Sequence, residues 1–231
     1  THARASHLRL VVNEPQPVMT RQPRLRFRPV VRLCDGSAFG MHAEADIAFE
    51  DTFRSHHLTD VDLPSAAGWL GDLIERACRL AQDTQTMPRP MSILAPMAAL
   101  ADKDAPMAAE AAVARAGALA QEIRLDFSDA SVCALEDLAL DRVDAFRRRG
   151  FRVGLDARTS WRTPMGARAR LTFEAVRLDP SRCEALEIPM TRIEVASADG
   201  IALIAENVRW RDAEKLADMG VHFAVSPRAD G

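Results

Sequence analysis

Tyrosine is absent from the 231 residues, and lysine is confined to Lys103 and Lys215. Nearly all positive charge is therefore arginine, a bias of the kind a GC-rich genome imposes, and an arginine where lysine would be expected carries less weight than usual. Cysteine is scarce too. Cys34, Cys78, Cys133 and Cys183 lie far apart with no C-x-x-C pair, which argues against zinc ribbons, thioredoxin-type redox chemistry and a disulfide scaffold. Free thiols in a reducing compartment are expected. No run of 18 apolar residues occurs, which predicts no membrane span, and residues 1–7 lack the apolar core of a signal peptide. Neither sign of charge dominates: 30 basic and 33 acidic side chains leave −3, with a pI near 6.1, so nucleic acid is not an expected partner. What is present, 48% hydrophobic and 27% charged residues, is the balance of a globular domain rather than a disordered or collagenous chain. The expectation is a soluble, cytoplasmic protein.

Residues 1–23, broken by Pro15, Pro17 and Pro23, read as a leader, and 24–231 as the domain. Strand-like runs at 24–33 and 38–49 flank the turn signal Asp35-Gly36 and predict an antiparallel hairpin. Beyond it the pattern alternates. Ser65 can cap a helix with apolar residues at Trp69, Leu70, Leu73, Ile74, Ala77, Cys78 and Ala81, a 3.6-residue stripe. Further strands are predicted at 91–95, 123–127, 151–155, 175–178, 192–195, 201–205 and 221–225. Helices are predicted at 107–120, 134–149 and 211–219, the last two closed by Gly150 and Gly220. Short apolar strands alternating with amphipathic helices imply parallel strands joined by crossovers. About eight strands without an internal repeat suit a TIM-like (β/α)8 barrel, α/β in class, with an antiparallel strand near the N-terminus.

In such a barrel the chemistry sits where strands end, and these ends are acidic: Glu44, Asp126, Asp129, Asp156, Asp179 and Glu206. Carboxylates converging on a barrel mouth are what a hard divalent ion such as Mg²⁺ or Mn²⁺ requires.

The order and spacing of these segments resemble the EAL domain family, the cyclic di-GMP phosphodiesterases, over roughly residues 24–227. Phe27-Arg28-Pro29-Val30-Val31 is similar to the family's opening strand, and Glu44-Ala45-Asp46 to its Glu-Ala-Leu. Ser92-Ile93-Leu94-Ala95-Pro96 is similar to the strand with its metal-binding Asn, and Asp126-Phe127-Ser128-Asp129 to Glu-x-Thr-Glu. Asp156-Ala157-Arg158-Thr159 resembles Asp-Asp-Phe-Gly, Arg177-Leu178-Asp179 the Lys-Ile-Asp strand, and Ala205-Glu206-Asn207-Val208-Arg209 the Ala-Glu-Gly-Val-Glu segment. The resemblance implies a two-metal site that activates water for attack on a phosphodiester, with a lysine nearby.

Carried over residue by residue, it leaves Glu44, Asp126, Asp156 and Glu206 as remnant metal-site positions. Arg28, Leu94, Ala157, Arg177 and Arg209 are degenerate: Leu94 stands for the ligand Asn, Ala157 for the second Asp, Arg177 for the lysine, Arg209 for the final Glu and Arg28 for the substrate-side Gln. Ala48 and Val225-Ser226 likewise replace the family's Arg and Gln-Gly. Arginine stays protonated at neutral pH and cannot act as the base. The chain is accordingly read as a catalytically inactive EAL domain with no catalytic residue, metal or cofactor. It would act through a regulatory protein partner in bacterial motility, envelope or cell-cycle signalling. A metal-independent cyclic di-GMP receptor is the alternative, and a weak residual phosphodiesterase the second; the resemblance also allows a homodimer. Arg177 and Arg209 are expected to replace the metal charge by pairing with the remnant carboxylates. Three features outside the mouth have plain readings. His56-His57 with Asp60 lies in a polar insertion, Arg147-Arg148-Arg149 is a solvated helix end, and Trp161 and Trp210 are either buried at the rim or exposed as partner anchors.

Overall fold

The computed structural model describes residues 23–46, 48, 49, 65–85, 89–184 and 188–226. The proposed leader up to residue 22, the His56-His57-Asp60 group and residues 227–231 lie outside them. Strands β1 (Leu25–Arg32), β2 (Ala38–Ala45), β3 (Met91–Ala95), β4 (Ile123–Ser128), β5 (Arg152–Asp156), β6 (Ala175–Leu178), β7 (Ala202–Ala205) and β8 (Phe223–Val225) close in sequence order into a barrel. β1 is antiparallel to both β2 and β8, and the other pairs are parallel. This is the predicted TIM-like α/β barrel with its antiparallel strand at the start. The Asp35-Gly36 turn works because Gly36 takes φ +69, the left-handed region that glycine enters without penalty.

Helix α1 (Ala66–Asp83) begins where the sequence indicates, with the Ser65 hydroxyl accepting from the Gly68 N–H at 3.0 Å. Its buried stripe joins Ile93, Leu125, Phe127, Val153, Leu155, Val176, Leu178 and Leu203 in one large core between the strands and their helices. Inside the barrel the apolar filling is small. Val30, Ala175, Ile204 and Val225 form a separate buried cluster, and the interior above them is polar.

The predicted strand at 192–195 is instead part of helix α8 (Met190–Ala198), where Ile193 and Ala196 bury one face at helical spacing. A short apolar run does not distinguish the two periods by itself. The helix expected at 134–149 is two: α4 (Asp129–Ala134) and α5 (Asp137–Arg147), separated at Glu136, whose φ is +47. The helix expected at 107–120 runs over α3 (Ala105–Arg115) and stops before Gly117, at φ +66. The remaining helices are α2 (Met97–Ala101), α6 (Ala167–Thr172), α7 (Pro180–Glu184) and α9 (Ala213–Asp218). None is long and apolar enough to cross a membrane, among the described residues.

Candidate functional site

Side chains alternate along a strand, so residues two apart on β4 share a face. Arg124 and Asp126 do so inside the barrel, as a bidentate pair with Nε–Oδ1 2.7 Å and Nη2–Oδ2 3.2 Å. The register sets Arg28 beside His42, His42 beside Ser92 and Ser92 beside Arg124, while Asp156 stands beside Arg177. The charged groups therefore gather by strand geometry in the upper half of the barrel.

Glu206, just past β7, is the hub. One carboxylate oxygen accepts from Arg28 Nη1 at 3.2 Å, and the other accepts from Arg177 Nη2. Arg177 is 1% exposed and also faces Asp126 Oδ2 at 3.7 Å. Arg28 is tied further to the Ser226 carbonyl, at 2.9 and 3.2 Å. Arg158 pairs bidentately with Asp156, Nε–Oδ1 2.8 Å and Nη2–Oδ2 2.7 Å, and reaches Glu206 at 3.7 Å. Half-buried Glu44 faces Arg158 as well, adding to the negative field that raises its pKa against burial.

Buried His42 places Nδ1 3.0 Å from the Ser92 hydroxyl and Nε2 3.2 Å from Arg177 Nη1. A neutral ring that donates from Nδ1 and accepts at Nε2 satisfies both contacts. Burial, followed by the Arg177 charge, pushes its pKa well below 6.5. Burial raises the Asp156 carboxyl, but the hydrogen bond and charge of Arg158 prevail and the net shift is down. Burial, with the Arg158 charge adding to it, brings Arg177 down to about 10, which still leaves it a cation at neutral pH.

The remnant positions Asp126, Asp156 and Glu206 thus come together, with Glu44 at the edge. Leu94 stands opposite Asp126 in the sheet register and is 37% exposed, and Ala157 is buried. One expected placement is corrected. Arg209 does not join the carboxylates: Asn207 turns the chain at φ +57 after Glu206 and leaves Arg209 exposed ahead of a 3-10 turn (Trp210–Asp212). Arg28, Arg124 and Arg158 take that role instead.

The signal for Arg124 and Arg158 was the two-residue spacing to Asp126 and Asp156. Reading Arg124 from it needed β4 to be recognised as facing a polar interior. Asp129 points elsewhere and accepts the N–H groups of Arg162 at 2.8 Å and Thr163 at 2.7 Å, and the Ser160 hydroxyl at 3.0 Å. It pins the loop after β5, the loop that carries Arg158. Asp179 accepts the N–H and hydroxyl of Ser181 at the start of α7. Trp161 is buried and Trp210 is 59% exposed. Beside the mouth a groove of about 290 Å³ is lined by Glu44, Phe49, Trp69, Leu94, Met97 and Arg158 among others.

The donor set does not fit a pair of divalent ions. Leu94 and Ala157 offer no side-chain oxygen, and Asp126, Asp156 and Glu206 already hold guanidinium groups. Among the described residues no three His, Cys, Asp or Glu side chains form a metal-holding group.

No protein-family model and no curated protein matches the sequence. Solved structures do match in shape. BlrP1 of Klebsiella pneumoniae, in a calcium and cyclic di-GMP complex, superposes with a TM-score of 0.71 at 13% identity, over 92% of this chain and 56% of that one. The EAL enzyme Bd1971 in its cAMP-bound form gives 0.66 at 17% identity, over 89% and 61%. The EAL domain of DcpA from Mycobacterium smegmatis gives 0.66 at 16%, over 88% and 90%. The chain therefore spans little more than half the length of the first two. Closed in this strand order and superposing on these structures along nearly its whole length, the barrel has the fold of an EAL domain.

Proposed function

We propose that this chain is a non-catalytic EAL-type domain that works by recognising a regulatory protein in a bacterial signalling pathway. The observation that carries this reading is the balance of charge in the mouth. Glu44, Asp126, Asp156 and Glu206 are matched by Arg28, Arg124, Arg158 and Arg177. A paired carboxylate is a poor ligand, because a metal must first displace a buried bidentate guanidinium. With no carboxylate free and Arg177 where a lysine would serve, neither the attacking nor the leaving oxygen of a phosphodiester would find its counter-charge. The same balance disfavours the cyclic di-GMP receptor: two phosphates need surplus positive charge, and the adjoining groove of about 290 Å³ is small for a dinucleotide. Exposed Trp210 offers an anchor of the type enriched at protein interfaces.

Calorimetric titration of cyclic di-GMP with and without Mn²⁺, together with a product assay, tests the reading. The expected result is neither heat nor linear dinucleotide. Metal-free heat would establish the receptor, and turnover the enzyme. Co-purification from the source cell of a protein whose binding weakens at least tenfold in Trp210→Ala would support the recognition role.

A further inference from the structure

Two of the four mouth arginines link carboxylates that come from separate strands. Arg124 pairs with Asp126 on its own strand, and Arg28 bonds to Glu206 and the Ser226 carbonyl. Arg177 bridges Asp126 of β4 to Glu206 beyond β7, and Arg158 bridges Asp156 of β5 to the same Glu206. Joining carboxylates from separate strands is the structural work of a bound cation. We infer that Arg158 and Arg177 are the built-in counter-ions of this mouth: the domain assembles without any metal, and shortening these two side chains releases a divalent-cation site among Asp126, Asp156, Glu206 and Glu44. This rests on the reading of the mouth as non-catalytic.

The charge arithmetic supports it. Without Arg158 and Arg177, the contacts among the described residues leave four carboxylates to Arg28 and Arg124, a deficit that one divalent ion neutralises. Their hard oxygens suit Mg²⁺, Mn²⁺ or Ca²⁺. The two arginines also differ in reach. Arg177 is sealed, whereas Arg158 is 30% exposed on an irregular loop, so Arg158→Ala removes a bridge with the least damage to packing.

The experiment follows thermal unfolding of the full chain, stripped with EDTA and then titrated to about 10 mM with MnCl₂, MgCl₂ or CaCl₂. The variants are Arg158→Ala, Arg158→Ala/Arg177→Met, and the surface control Arg79→Ala, which loses only an exposed pair with Glu75. Wild type and control should show no cation-dependent shift. Arg158→Ala should lose roughly 5 °C, and the double variant about 10 °C or more. In both, Mn²⁺ should restore at least half the loss along a saturable curve. If the double variant does not fold, Arg158→Ala decides alone. A wild type stabilised saturably by Mn²⁺, or variants whose lowered midpoints ignore all three ions, would overturn the inference. A cyclic di-GMP cleavage assay on the same samples separates the two claims. Turnover by wild type defeats the non-catalytic reading, whereas inert wild type with cation-blind variants defeats only this one.

Discussion

Gly154 of β5 faces Asp126 of β4 across the barrel sheet so closely that a Cβ there would land on the Asp126 carboxylate, with Arg124 Nε at 3.2 Å and the Ala175 carbonyl at 3.3 Å. The missing side chain is the room in which the Arg124–Asp126 pair sits. Gly154→Ala should therefore destabilise the protein by about 3 kcal/mol, because an overpacked methyl also disturbs a buried ion pair. Urea denaturation measures it; a change under about 0.5 kcal/mol would show that the pair yields freely.

Arg177 and Glu206 should behave as a coupled unit. Either Arg177→Met or Glu206→Gln alone strands a buried charge and should cost about 3–5 kcal/mol. The double variant should cost clearly less than the sum, with a coupling of about 2 kcal/mol. Additive losses in the cycle would mean that the two groups are solvated independently.

Asp129 acts on the mouth at one remove, by pinning the loop that presents Arg158. Asp129→Asn keeps the shape but weakens the bonds to Arg162, Thr163 and Ser160. A stability loss of about 2–3 kcal/mol is expected. Proteolytic nicking should also become faster within residues 157–166, which limited digestion would detect. An unchanged digestion pattern would count against the pinning role.

Acid should destabilise the fold in two stages. His42 stays neutral in the native state below its ordinary value of 6.5, so the unfolded chain binds the extra proton and stability falls as pH drops through 6.5. The slope approaches 1.4 kcal/mol per pH unit for one proton. Asp156, held below 3.8 mainly by Arg158 against the opposing effect of burial, contributes stability that is present above its unfolded value and lost below about pH 4. Denaturant midpoints from pH 7.5 to 5 should therefore decline in wild type. They should stay nearly flat in His42→Gln, which has no imidazole at this buried position; equal slopes in the two would assign the proton elsewhere.

Much of the fold was legible along the chain. The Asp35-Gly36 turn, the Ser65 cap and the alternation of strand and helix periods are local facts, and local facts sufficed for an eight-stranded barrel. The strand expected at 192–195 shows the limit, since burial on a helical face was decided by what packs against Ile193 and Ala196. The site was legible as a list of acids and of positions unlike the EAL pattern, but not as a set of partners.

The sequence by itself determined which charges this barrel contains: its carboxylates at the strand ends, the scarcity of lysine, and the leucine and alanine at Leu94 and Ala157. Only the tertiary structure decided which arginines meet those carboxylates. Strand register brings Arg28, Arg124 and Arg177 inside, the loop pinned by Asp129 aims Arg158, and the turn at Asn207 sends Arg209 to solvent. Ion pairing depends on distances of a few ångströms between segments far apart in the chain, and those distances exist only once the barrel has closed.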